Sequence, residues 1–178
     1  MHRLLLVAVM VLAAATAASA LDLPPRKAGL WELTMTFEGR SLPPQVLKQC
    51  VDPASDKLMN LDFAGSNDLA CSKQDMTRNG GTIVIDSVCK FAETATTSHA
   101  VITGSFDSAY AVRVSSTRQG GPPLPGIAPG AESLMTIAAK WLGPCAAGQK
   151  PGDVIMPNGM KMNVFDIQKM RKPAAPPK

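Results

Sequence analysis

Apolar and polar residues alternate along 29–38. Trp31, Leu33, Met35 and Phe37 fall on one side, and Leu30, Glu32, Thr34, Thr36 and Glu38 on the other. A period of two marks a strand with one buried face. Ser41-Leu42-Pro43-Pro44 ends it, and a short strand over 46–51 follows. Asp52-Pro53 reads as an N-cap with proline at the first helical position, which opens a short helix over about 54–60. Gly65-Ser66-Asn67-Asp68 reads as a loop.

Residues 71–77 and 82–91 are expected to form a hairpin around Asn79-Gly80-Gly81. A three-residue loop centred on Gly80 sets Cys71 directly opposite Cys89. Opposed β-carbons of an antiparallel pair lie roughly 4.5–5.5 Å apart, which a modest twist brings into disulfide range. Cys50 and Cys145 then pair by elimination. A C-x-x-C redox motif is missing, and the spacings do not suit zinc.

Two further strands are expected over 95–106 and 109–117, and residues 119–130 form a Pro/Gly loop. Residues 131–142 satisfy two periods. Helix propensity is high up to Lys140, yet Met135, Ile137, Ala139 and Trp141 also alternate. The earlier strands need pairing partners, which favours strand. A last hairpin is expected from 153–156 and 160–165 around Pro157-Asn158-Gly159. The fold class is therefore mainly β: a curved antiparallel sheet or partly closed, barrel-like meander with one short helix, stapled by disulfides.

The ends change the picture. Residues 1–20 read as a signal peptide, with His2 and Arg3 before an apolar run and Ala18-Ser19-Ala20 as the cleavage site. The mature chain then starts at Leu21. It divides into an antiparallel β domain (21–148), a β-hairpin extension (149–168) and a basic, Pro-rich disordered tail (169–178). No later segment is long and apolar enough to span a bilayer. An even cysteine count behind a leader fits the periplasm or the outside of the cell. Among 18 Lys and Arg, the last residues hold Lys161, Lys169, Arg171, Lys172 and Lys178 against Asp166, so the body is close to neutral. That balance argues against nucleic acid as a partner.

Candidate chemistry is sparse. His99 is the one histidine of the mature chain, in "ATTSHAV", and adjacent Ser98 points to the opposite face of a strand. Phosphate loops and nucleophile elbows are missing too, which leans against an enzyme, with an unrecognised hydrolase kept as one alternative. Ten methionines are many for this length. Met156, Met160 and Met162 flank one turn, and thioethers suit Cu(I), so a copper-binding protein is the other alternative. Methionine also fills irregular core space. The favoured role is non-catalytic binding or envelope maintenance, with an apolar ligand, a peptide or an envelope component as partner and no cofactor required.

Several short stretches go together. "RKAGLWE" opens the domain, "KQCVDP" leads into the helix, Cys71 and Cys89 bracket a hairpin, and "KWLGPC" closes it. In these the chain resembles the secreted bacterial family catalogued as domain of unknown function 3617, over roughly residues 26–145. The resemblance implies an envelope or secreted location in Gram-negative bacteria. It implies no assigned reaction and no catalytic residue.

Overall fold

The computed structural model describes residues 23–63, 70–123, 127–128 and 130–170, and side chains are considered for all of these except 61–63 and 70. The expected signal peptide, the loop at 65–68 and the end of the chain from 171 lie outside the described residues.

Among the described residues nine strands form one antiparallel sheet: β1 (Gly29–Phe37), β2 (Gln45–Val51), β3 (Ala70–Asn79), β4 (Thr82–Phe91), β5 (Thr94–Ser105), β6 (Ala109–Gln119), β7 (Glu132–Gly143), β8 (Asp153–Ile155) and β9 (Lys161–Asn163). Their spatial order is β3-β4-β5-β6-β7-β1-β2-β8-β9. β3 through β7 is a plain meander. β1 then docks on the far side of β7, pairing Leu33 with Ala139 and Met35 with Ile137. The sheet stays open, because β3 and β9 end the order without pairing to each other. The ambiguous segment is strand β7, which supplies hydrogen-bond partners to β6 and β1 at once.

The β3–β4 hairpin pairs Cys71 with Cys89, but not through the expected loop. Asn79 pairs with Thr82, so the loop is the two residues Gly80-Gly81. Gly80 takes the positive φ (59°) that the first central residue of a II′ turn requires. A register shift between Cys71 and Lys73 moves the pairing by one residue and sets the cysteines opposite each other. Both expected disulfides form, Cys71–Cys89 and Cys50–Cys145.

Helix α1 (Pro53–Phe63) starts where Asp52-Pro53 places it. The Ser55 amide donates to Asp52 Oδ1 (2.8 Å) while the Asp52 amide donates to Ser55 Oγ (2.9 Å), a reciprocal cap. The Ser55 hydroxyl, donating to the Asp52 carboxylate, is the main reason that this carboxyl titrates below its ordinary value.

A second helix, α2 (Val164–Met170), takes over the end of the strand expected over 160–165, of which only Lys161–Asn163 is strand. Asn163 ends β9 and caps α2, accepting from the Phe165 amide (3.1 Å) and donating to Asp153 Oδ1 (2.9 Å). Residues 169 and 170, assigned from sequence to the disordered tail, belong to this helix.

Alternation divides the sheet into two faces. One carries Ile83, Ile85, Ala100, Ile102, Val112 and Ile137, all buried, and Trp31 and Val51 continue it beneath α1. The other carries Asp75, Asp86, His99, Arg113 and Glu32, which are part-exposed or exposed.

Candidate functional site

Only part of the buried face is closed by well-packed neighbours. Ahead of β1, the segment 23–28 crosses this face, held by the Lys27 amide donating to the Phe106 carbonyl (2.8 Å). The Trp31 indole donates back to the Lys27 carbonyl (2.8 Å). Between this strap, α1 and the sheet lies a cavity of about 100 Å³. Its apolar wall comes from strands whose alternation turns Leu33, Ile102, Val112 and Ile137 inward. Phe106 and Tyr110 close one side, with rings stacked 4.7 Å apart.

The polar end is built around Arg26. Its Nε donates to Asp56 Oδ1 (2.7 Å) and its backbone amide to Asp56 Oδ2 (2.9 Å). One terminal guanidinium nitrogen donates to Gln49 Oε1 (2.6 Å), and the other meets the Met59 sulfur at 3.2 Å. Thioether sulfur is a weak acceptor, so this last donor is the least satisfied. Arg26 and Asp56 are both buried, 7% and 1% exposed. Burial pushes the Tyr110 hydroxyl above its ordinary value; Arg26 opposes that rise and Asp56 adds to it. The phenol is therefore a neutral hydrogen-bonding group at the cavity wall. The opposite charges of Arg26 and Asp56 cancel, so the polar end suits a neutral hydroxyl or carbonyl better than a full charge.

Arg26 and Gln49 lie in the stretches "RKAGLWE" and "KQCVDP", but nothing in the sequence links either of them to Asp56 or Tyr110. Arg26 and Asp56 are 30 residues apart and share no periodicity. The available signal was weak: a charged residue one position off the apolar face of a strongly capped helix, and the single tyrosine of the chain.

The residues singled out from sequence lie elsewhere. His99 is on the outer face, where Nδ1–H donates to Asp86 Oδ1 (2.8 Å), with both side chains about half exposed. Ser115 is opposite His99 in register on β6. Met156, Met160 and Met162 lie on the β8–β9 hairpin, with Met162 paired to Val154. Among the described residues no helix is long and apolar enough to cross a membrane. The two disulfides are compatible with an extracytoplasmic location.

Residues 26–145 match the profile of a family described as a protein of unknown function, DUF3617. No curated protein and no solved structure matches the chain. The match begins at Arg26 and ends at Cys145, so it contains both disulfides and, apart from Leu23, the residues that line the cavity.

Proposed function

The chain belongs to the DUF3617 family, and we propose that it is an exported binding module, periplasmic or secreted, that works by holding an apolar ligand rather than by turnover. The observation that carries this reading is the cavity between strap, α1 and sheet, with an apolar wall and one neutral polar end. Ligand sites are built that way: hydrophobic linings with a few placed polar groups that set orientation. The volume of about 100 Å³ decides the size class. Drug-sized sites are roughly 300–1,000 Å³, whereas an apolar cavity of about 150 Å³ takes a benzene ring. This cavity is smaller than that, so the end of an acyl chain fits, with a hydroxyl or carbonyl directed at Arg26, Gln49 and Tyr110.

The test uses the mature chain purified from a periplasmic extract. Native mass spectrometry is expected to show a co-purified apolar molecule, and a short-chain alkanol, followed by ligand-observed NMR, is expected to bind and to be displaced by it. Ile137→Phe, which fills the wall, should abolish alkanol binding while leaving the circular dichroism spectrum unchanged. Alkanol binding that is undiminished in that variant would refute the assignment of the site. The same preparation reports on export, since its intact mass should correspond to a chain starting at Leu21.

A further inference from the structure

The β8–β9 hairpin lies outside the family match and away from the cavity. Its turn is tightly specified. The Gly159 amide donates to the Met156 carbonyl (2.9 Å), and the Met156 amide donates to the Met160 carbonyl (2.8 Å). Pro157 takes the first central position of the turn, and Gly159 has the positive φ (81°) that ends a three-residue loop of this kind. Asn158 Oδ1 accepts from the Met160 amide (3.1 Å). Met156 and Met160 are therefore an opposed pair, and Met162, two residues on and opposite Val154, shares their face. Lys161, between the two methionines, alternates to the other face, where it pairs with Asp153 (3.4 Å).

From this arrangement we infer that Met156, Met160 and Met162 form a binding site for a soft monovalent metal ion, Cu(I) in the cell. Opposed β-carbons are roughly 4.5–5.5 Å apart and diagonal ones about 7–8 Å or somewhat less. Unbranched thioether arms with three rotatable bonds can converge over such spacings. Three neutral sulfur donors select a soft cation with a single charge and give little to a hard divalent ion. Core packing does not account for Met160, which is 52% exposed at the hairpin tip, and it leaves Met156 and Met162 part-exposed. The site depends on the turn, because a shift of one residue in register would put Met156 and Met160 on opposite faces.

The experiment uses the full mature chain with both disulfides intact, because a freed thiolate would itself take the metal. Ag(I), a stable stand-in for Cu(I), is titrated in against a competing chelator, and Cu(I) is then tested without oxygen. One-to-one saturable binding is expected for both ions, with no comparable binding of Zn(II). Met156→Leu/Met160→Leu/Met162→Leu, which nearly conserves volume, should remove that binding with the thermal unfolding midpoint almost unchanged. Met35→Leu/Met76→Leu is the control and should leave binding intact. Absence of Ag(I) and Cu(I) binding in the wild type, or its persistence in the triple variant, would overturn the inference. If the triple variant fails to fold, Met160→Leu alone serves, since its side chain is the most exposed, and unchanged affinity there would count equally against the site.

Discussion

Arg26 and Asp56 meet 2.7 Å apart, with their side chains 5% and 2% exposed. The pair ties the strap before β1 to the first turn of α1, and Asn60 adds a longer contact to the same carboxylate (3.4 Å). Removing one member of a buried pair leaves the other charged and without its counter-ion, which costs about 3–5 kcal/mol. Asp56→Ala is therefore expected to lower stability by that amount in urea unfolding. Arg26→Met/Asp56→Leu should recover much of the loss, since no uncompensated charge remains. A cost below about 1 kcal/mol for Asp56→Ala would mean that the strap is held by other contacts.

Stability should also fall in acid, through Asp52 and Asp153. Burial tends to raise the Asp153 carboxyl, but the Asn163 amide, the Lys150 backbone amide and the Lys161 ammonium outweigh it and hold the value below the ordinary one. Asp52 is lowered chiefly by Ser55. A carboxyl whose folded value lies below its unfolded value stabilises the fold above about pH 4, and that contribution disappears as pH falls through the folded value. The unfolding midpoint should hence be flat near neutrality and decline below about pH 4. Asp153→Asn should be less stable at pH 7 and show a shallower decline. Asp52→Asn keeps a competent cap, so it should flatten the decline at little neutral cost. Wild-type slopes in both variants would rule out these two groups as the source.

The two staples should differ in worth. Cys71–Cys89 closes a separation of 18 residues, and Cys50–Cys145 one of 95. On the chain-entropy account these are about 3 and roughly 4.7 kcal/mol. Removing Cys50 and Cys145 together by alanine substitution is expected to cost about 1.5 kcal/mol more than removing Cys71 and Cys89. Equal midpoints for the two double variants in urea would contradict the ordering.

His99 should matter little to stability. Its partner Asp86 is opposite it on an exposed face, and exposed ion pairs contribute roughly 0–1 kcal/mol. His99→Ala is expected to unfold within that range of the wild type. The variant also tests the hydrolase alternative: an esterase or amidase activity that purifies with the protein and vanishes with His99→Ala would make the Asp86–His99–Ser115 row catalytic.

The long strands were legible where alternation survives, as it does in β4 and β7. Thr82–Phe91 matches its expected bounds, and β7 resolves to strand because β6 and β1 both need its edges. The hairpin centre was not legible. Two adjacent glycines permit either loop length, and the shift after Cys71 that restores the cysteine pairing has no periodic signature. Helix α2 was masked by the apparent alternation of Met160, Met162 and Val164 with Lys161 and Asn163. Asn163 followed three residues later by Asp166 was the cap signal that would have revealed it. The cavity was hidden for a different reason. Arg26, Gln49, Asp56 and Tyr110 converge only once β1 has docked between β2 and β7, and no local pattern encodes that docking.

The nesting of Cys71–Cys89 inside Cys50–Cys145 sets a problem of timing. A chain that enters an oxidising compartment from its amino end exposes Cys50 first and Cys145 last. Oxidation in order of arrival would join Cys50 to Cys71 and strand Cys89 with Cys145. The native pairs are reached only if Cys50 waits as a free thiol, or if an early bond is broken by thiolate attack and remade. β1 and β2 likewise arrive before the β7 edge on which β1 must dock. If the protein is exported as proposed and Cys50 does not wait, its maturation should depend on a disulfide-shuffling catalyst and not merely on an oxidant, with Cys50–Cys71 as the non-native species that accumulates in its absence.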